Sequence, residues 1–364
     1  MKNALIKKII VFAVSILLVG TTSIALAQNM QETLTCKNIG TNSAPYNYYT
    51  YQNMTRLLKS YANNHSDIMN LTSIGKTYQG RDIWMVKISD NVSADENEPG
   101  VLLMGAHHGN EKPSYEVLIY FIKYLVDNYE KNNSKKPANI DPAVDRVKNI
   151  VNNTQIYIIP MVNPDGVEAN SRKNCAPNHG PFGHSKKITS YGVNLNRNYD
   201  YRWYLIYLHP QFYVPWTQIR DRGLNYHGPY PFSENETIAV KKFVETHNIS
   251  ISISYHTFSQ IIFYPWLFTS KPNKDEKLFI SIGENISKIN NYTLTRHLNL
   301  PPWYRATIGG SEDWLYGRHN ILAFLIELGN SSAPKDPKVV SELCRVHTNV
   351  NLYVCERAIS LNKI

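Results

Sequence analysis

The apolar run Val101-Leu102-Leu103-Met104 stops at Gly105 and gives way at once to Ala106-His107-His108-Gly109-Asn110-Glu111. A run this short, apolar throughout and bounded by glycine, has the form of a central strand buried on both faces. The polar groups that follow it therefore sit at a sheet edge. A histidine and a carboxylate three residues apart at such an edge form half of a zinc site, since a zinc open to water takes three protein ligands of nitrogen and oxygen type. The missing ligand is a second histidine. His256 closes the alternating run Ile251-Ser252-Ile253-Ser254-Tyr255, whose period of two marks a strand, and so reaches the same edge. His107 competes with His108 for the first ligand position.

Around this point strands and helices alternate. Helical spacing covers Tyr51–Asn64, and Leu71–Ser89 reads as two strands about the turn Gln79-Gly80-Arg81. Pro113–Asn128 follows the His-rich loop as a helix, and Thr154–Val162 is a strand running into the turn Asn163-Pro164-Asp165-Gly166. Ser233-Glu234-Asn235-Glu236 is a capping box that opens a helix to Thr246. A strand at Ile249–Tyr255, a helix at Asp275–Asn290, a strand at Ile321–Glu327 and a long helix at Pro337–Leu361 complete the series. That order predicts an α/β fold, a single domain over 45–364 with a mixed, mostly parallel central sheet flanked by helices. The loop-rich stretch from Gly166 to Phe232 has little periodicity, and loops of that length usually carry function.

Residues 1–27 stand apart. Lys2, Lys7 and Lys8 precede an apolar run from Ile9 to Val19 and the small-x-small end Ala25-Leu26-Ala27, the pattern of a secretory signal. The run is shorter than the ~20 residues a spanning helix needs. Residues 28–44 read as a short polar leader. A secreted protein, extracellular, periplasmic or on the cell surface, is expected, without stable membrane insertion. Loss of the signal removes three lysines and no acid, so the net charge falls from +9 to +6; the basic residues are scattered, and nucleic-acid binding finds no support. Export permits disulfides, and sequons such as those at Asn53, Asn91 and Asn330 are compatible with a glycosylated exterior. Cys344 and Cys355 share one predicted helix and lie roughly 16 Å apart along it, beyond the ~7 Å a bridge can span. If two bridges form, these cysteines take Cys36 and Cys175.

Hydrolysis at a zinc centre also needs a base. Glu327 closes Leu322-Ala323-Phe324-Leu325-Ile326, and a carboxylate there is costly to bury without a partner. It is expected to face the same edge, taking a proton from water and passing it to a leaving amine.

With these residues in place, the chain resembles the zinc metallocarboxypeptidases of the carboxypeptidase A/B (funnelin) family, from about Tyr49 through Glu327 and into the final helix. The blocks run in the family's order. Ile74-Gly75-Lys76-Thr77-Tyr78-Gln79-Gly80-Arg81 is similar to the early hairpin, and His108-Gly109-Asn110-Glu111 to the zinc pair. Asn163-Pro164-Asp165-Gly166 with Ser171-Arg172-Lys173-Asn174 resembles the segment whose arginine holds the scissile carbonyl, and Asn194-Leu195-Asn196-Arg197-Asn198 the Asn-Arg pair that grips a C-terminal carboxylate. Tyr226-His227-Gly228-Pro229 through Thr237 is a further block. Tyr255-His256-Thr257-Phe258-Ser259-Gln260 matches the third-ligand segment, Gly309-Gly310-Ser311-Glu312-Asp313-Trp314 the pocket loop, and Ile326-Glu327-Leu328 the catalytic glutamate.

The resemblance implies one zinc per chain on His108, Glu111 and His256, with Glu327 and Arg172 catalytic. Arg172 faces the oxygen that becomes negative in the transition state. Asn196 and Arg197 bind the C-terminal carboxylate of a peptide or protein substrate, which an arginine fork grips bidentately. Glu312 lines the pocket for the last side chain, where a carboxylate favours Lys or Arg. The chain departs from the family at Asn110, where digestive members carry arginine, and at the mobile capping tyrosine, whose position falls on Arg305 with Tyr304 one residue earlier. The leader is too short for a long prosegment, which implies a chain active as secreted. The expected function is hydrolysis of the C-terminal peptide bond by a zinc- and glutamate-promoted water mechanism. A murein stem-peptide peptidase or a deacylase would use the same zinc set on the same scaffold. A peptide-binding relative without catalysis is opposed by the presence of all three ligands and Glu327.

Overall fold

A computed structural model describes residues 44–130, 142–175, 192–205, 224–296 and 307–361. Among them, eight strands form one sheet: β1 (Met69–Lys76), β2 (Asp82–Ile88), β3 (Gly100–Met104), β4 (Gln155–Ile159), β5 (Ile249–His256), β6 (Ile261–Phe263), β7 (Thr293–Thr295) and β8 (Leu322–Glu327). Their order is β1-β2-β4-β3-β5-β8-β6-β7. The middle four, β4-β3-β5-β8, are parallel, and β1/β2, β2/β4 and β6/β8 are antiparallel.

Among the same residues the α-helices are α1 (Tyr51–Asn64), α2 (Pro113–Glu130), α3 (Pro142–Val151), α4 (Pro164–Glu168), α5 (Asn235–Thr246), α6 (Glu276–Asn290), α7 (Ser311–His319) and α8 (Pro337–Leu361). β3 shows why they lie on both faces. Its side chains alternate: Val101 and Leu103 join the core with α1, α2, α3, α6 and α8, while Leu102 and Met104 join the core with α5 and α7. A strand buried on both faces satisfies its backbone only through neighbouring strands, which places it in the middle of the sheet.

Four features depart from the expectations. α3 was not anticipated, although Pro142 suits a first helical turn and Val147, Ile150 and Val151 form its buried stripe. The strands β6 and β7, three residues each, are too short to show a period. The capping box at Ser233 is not made, because its hydroxyl donates to Glu234 Oε1 at 2.6 Å and accepts from Asn198 Nδ2 at 2.9 Å, and the cap residue Glu234 has no side-chain bond to the helix. Finally, Cys175, Cys344 and Cys355 are buried free thiols, so the two-bridge arrangement is not formed; Cys36 lies outside the described residues.

Candidate active site

β3 is followed in the chain by β4 on one side and by β5 and β8 on the other. The strand order thus reverses between β3 and β5, and the carboxyl ends of strands at such a reversal are where open α/β sheets bind ligands. His108 follows β3, and His256 ends β5. Glu327 ends β8 as the register partner of His256.

The loop carrying His108 is held by its backbone. Val162 N donates to Gly105 O at 3.0 Å and Asn163 N to Ala106 O at 3.1 Å. Ala106 has φ 48°, a left-handed conformation costly for a residue with a Cβ, and its N–H is bound by Ser114 Oγ at 3.1 Å. At Gly109 a Cβ would lie 1.9 Å from the carbonyl carbon of Gly166, so only glycine lets the two turns touch. Asp165 accepts from Thr77 Oγ1 at 2.8 Å, Gln79 N at 2.9 Å and Arg81 Nη1 at 2.6 Å, which docks the β1–β2 turn onto the same loop.

His108 Nδ1 lies 2.8 Å from Glu111 Oε1, His256 Nδ1 lies 3.0 Å from Glu111 Oε2, and the two Nδ1 atoms are 3.1 Å apart. All three side chains are buried, and their donor atoms lie within 4.8 Å of one another. The far sides of the rings meet oxygen: His108 Nε2 is 2.9 Å from Asn194 Oδ1, and His256 Nε2 is 3.2 Å from Ser254 Oγ. Nε2–H donated to those acceptors leaves a lone pair on each Nδ1, and the two lone pairs point at one spot beside a carboxylate. A cation there relieves that opposition. Two imidazoles and a carboxylate, each backed by a polar partner, fit zinc. Burial, then the Arg172 charge, lowers His108 to about 3, which keeps it neutral. Burial opposes ionisation of Glu111, but the two imidazoles outweigh it and hold its carboxyl well below the ordinary range. For His256, burial is overcome by Glu111, with Glu327 and Glu312 adding their charge, and its pKa rises.

His107 is not part of this set. It is fully buried with Nε2 2.9 Å from Tyr199 Oη and Nδ1 3.2 Å from Ser254 Oγ. Of the two histidines, it is His108 whose ring nitrogen lies with the donor atoms of Glu111 and His256.

Beside this set, Arg172 Nη1 donates to Glu111 Oε1 at 2.8 Å and leaves 28% of its side chain exposed. Asn196 Oδ1 accepts from Ser311 N at 2.8 Å, and Arg197 Nη1 donates to Asn196 O at 2.6 Å. Gly309, at φ 75°, lets the loop before α7 press against this segment, since a Cβ would lie 2.2 Å from Arg197 O. Glu312 therefore opens α7 beside Asn196 and Arg197. It is 1% exposed; Oε1 accepts from Ser311 Oγ at 2.8 Å, while Oε2 is buried without a hydrogen-bond partner among the described residues. Asp313 turns away and accepts from Leu267 N at 2.9 Å. Glu327 Oε2 is also buried and unpartnered among the described residues, and burial, helped by the Glu111 charge, pushes its carboxyl up to about 7. Tyr304 and Arg305 lie outside the described residues.

Two residues that serve the site were not singled out from the sequence. Ser254 stands two residues before His256 and so shares its side of β5, a signal the strand period contained. Asn194 gave none, because only the fold brings it to His108, 86 residues away.

A sequence model of the zinc carboxypeptidase family (peptidase M14) matches residues 54–345. A zinc carboxypeptidase of Saccharothrix mutabilis subsp. capreolus is 30% identical over 340 residues, 87% of this chain and 71% of that protein. Human carboxypeptidase D and mouse carboxypeptidase Z are 27% and 26% identical over 81% and 79% of this chain, which spans only 20% and 45% of their lengths. Among solved structures, carboxypeptidase A from Helicoverpa armigera superposes with a TM-score of 0.69 at 20% identity, covering 94% of this chain and 81% of that one. Bovine thrombin-activatable fibrinolysis inhibitor, solved with tick carboxypeptidase inhibitor, gives 0.68 at 20% identity, covering 86% and 98%. At such identities the likeness speaks to the fold alone.

Proposed function

Because the chain belongs to the zinc carboxypeptidase family, we propose that it is a metallocarboxypeptidase, exported behind residues 1–27 and a leader at 28–44, whose domain at 45–364 removes residues from peptide C-termini with one zinc on His108, Glu111 and His256. The observation that carries this reading is the convergence of those three donors on one buried point beside Glu327. Bound there, zinc supplies a Lewis acid that polarises the scissile carbonyl and acidifies water.

The chain's own groups supply the rest. Glu327 takes the proton of the attacking water and hands it to the leaving amine, a role supported by its buried oxygen that has no partner among the described residues. Arg172, partly exposed at the same edge, offers fixed positive charge to the oxygen that becomes negative. Asn196 and Arg197 hold the terminal carboxylate, which favours an exopeptidase over a deacylase. The family's capping position falls on Arg305, and either Tyr304 one residue earlier serves in its place or the role is absent.

Glu312 sets the specificity. Its Oε2 is a buried carboxylate oxygen without a partner among the described residues, at the start of a helix whose amides tolerate the charge. A C-terminal Lys or Arg supplies the missing donor, whereas an apolar side chain leaves the charge buried and uncompensated. The test is release of the last residue from peptides ending in Arg, Lys, Phe or Leu, with and without chelator. Chelator-sensitive release that is fastest from Arg or Lys is expected. Release that ignores chelator would overturn the zinc reading, and faster release of Phe or Leu would overturn the specificity.

A further inference from the structure

The buried histidine beside the metal ligands has no place in the mechanism above, yet its contacts lead to one of them. Tyr199 Oη, His107, Ser254 Oγ and His256 form an unbroken series at 2.9, 3.2 and 3.2 Å, and the His107 and His256 rings stack at 5.7 Å and 17°. Every member is buried.

The direction of the hydrogens follows from the metal. When His256 Nδ1 gives its lone pair to an ion, Nε2 carries the hydrogen and needs an acceptor. Asn196 Nδ2 lies 3.4 Å away but is itself a donor, and the amide cannot turn over, because its Oδ1 holds Ser311 N at 2.8 Å. Ser254 Oγ is therefore the acceptor among the described residues. Having accepted from His256, the serine hydroxyl donates its own hydrogen, and His107 Nδ1 at 3.2 Å is there to receive it. That leaves the hydrogen of His107 on Nε2, directed at Tyr199 Oη. One orientation satisfies all three contacts, and it is the orientation that turns the His256 lone pair to the ion.

We propose that His107 is a positioning residue for His256: acting through Ser254, it holds the ligand in the tautomer and ring orientation that bind zinc. The inference rests on the zinc reading given above. Partners of this kind typically contribute 10–100-fold to metal affinity.

The experiment is a zinc competition against a chromophoric chelator, with thermal denaturation as the control for folding. Wild type is measured first, and if it holds no stoichiometric zinc, the underlying reading fails before His107 is tested. His107→Leu removes the acceptor and should weaken zinc by about tenfold. His107→Asn has nearly the shape of leucine but can place its amide oxygen where Nδ1 was, and it should restore most of the loss. A packing role predicts the opposite order, since leucine suits a buried site better than asparagine. Ser254→Ala should lose about as much as His107→Leu, and the double variant no more than either, because the two act in series. The cobalt-substituted protein should show a shifted visible spectrum in His107→Leu and a nearly native one in His107→Asn. Wild-type zinc affinity in His107→Leu, or leucine holding zinc as well as asparagine, would overturn the proposal. Should His107→Leu not fold, wild-type affinity in Ser254→Ala would do the same.

Discussion

Around His256 both ring nitrogens are engaged, Nδ1 with Glu111 and His108 and Nε2 with Ser254, whereas at the same sheet edge Glu312 and Glu327 each keep a buried carboxylate oxygen without a partner among the described residues. The two sides are finished to different degrees. The charges follow suit: Glu111, wedged between imidazoles and Arg172, is held well below the carboxylate range, while burial lifts Glu327 to about 7. An unsatisfied buried acceptor costs about 1–3 kcal/mol. Such a cost persists where a ligand or the chemistry supplies the missing partner. The contrast teaches that the proposed metal side is set up by the protein's own contacts, whereas the proposed pocket side leaves acceptors for a ligand to satisfy.

The contrast is tested most severely by His256→Ala. It should abolish stoichiometric zinc and activity together, and metal analysis showing undiminished zinc would remove His256 from the ligands. Glu327→Gln should differ in kind, keeping zinc and substrate binding while kcat falls by roughly 10²–10⁴-fold; single-turnover kinetics beside metal analysis separate the two. Because Glu327 must be ionised to take a proton, wild-type activity should fall as pH drops below neutral, with the bound cation moving that limb downward.

Glu312 sharpens the comparison from the pocket side. Glu312→Ala should erase a preference of about 10–100-fold in kcat/KM for Arg over Leu at the C-terminus, taking that range from the discrimination one buried group supplies. Glu312→Gln should raise the stability of the substrate-free protein by about 1 kcal/mol, because a neutral amide is cheaper to bury than an unpaired carboxylate. A lower denaturation midpoint for Glu312→Gln would mean that the carboxylate already has its partner within the chain.

One more effect concerns a buried group in neither set. His347 on α8 has Nδ1 2.9 Å from Leu343 O and Nε2 unpartnered among the described residues, and burial lowers its pKa to about 4. The unfolded imidazole, with a pKa near ~6.5, binds the proton first. Its contribution is therefore complete above that value and is lost as pH falls toward 4, by about 3 kcal/mol in all. His347→Phe should flatten this part of the pH dependence in urea unfolding, and an unchanged slope would show that His347 does not carry it.

Much of the site was legible in the sequence because strands write their ends plainly. His256 and Glu327 each close an apolar or alternating run, and in the fold they are register partners on β5 and β8. The His108–Glu111 spacing likewise needed only a loop at the end of β3. Periodicity is set by neighbours a few residues apart, so it survives in one dimension. What it cannot hold is the choice among partners far along the chain. His107 competes with His108 in the sequence, and in the fold Tyr199 and Ser254 hold the one while Asn194 holds the other. Ser233 carries a correct capping signal, yet Asn198, 35 residues earlier, captures its hydroxyl. Glu312 shows its charge in the sequence, but only the docking of α7 against Asn196 and Arg197 buries one of its oxygens without a donor. Local spacing determined which side chains reach the edge; tertiary packing decided which of them are satisfied there, because hydrogen-bond partners in a buried site are drawn from whatever the fold brings within reach.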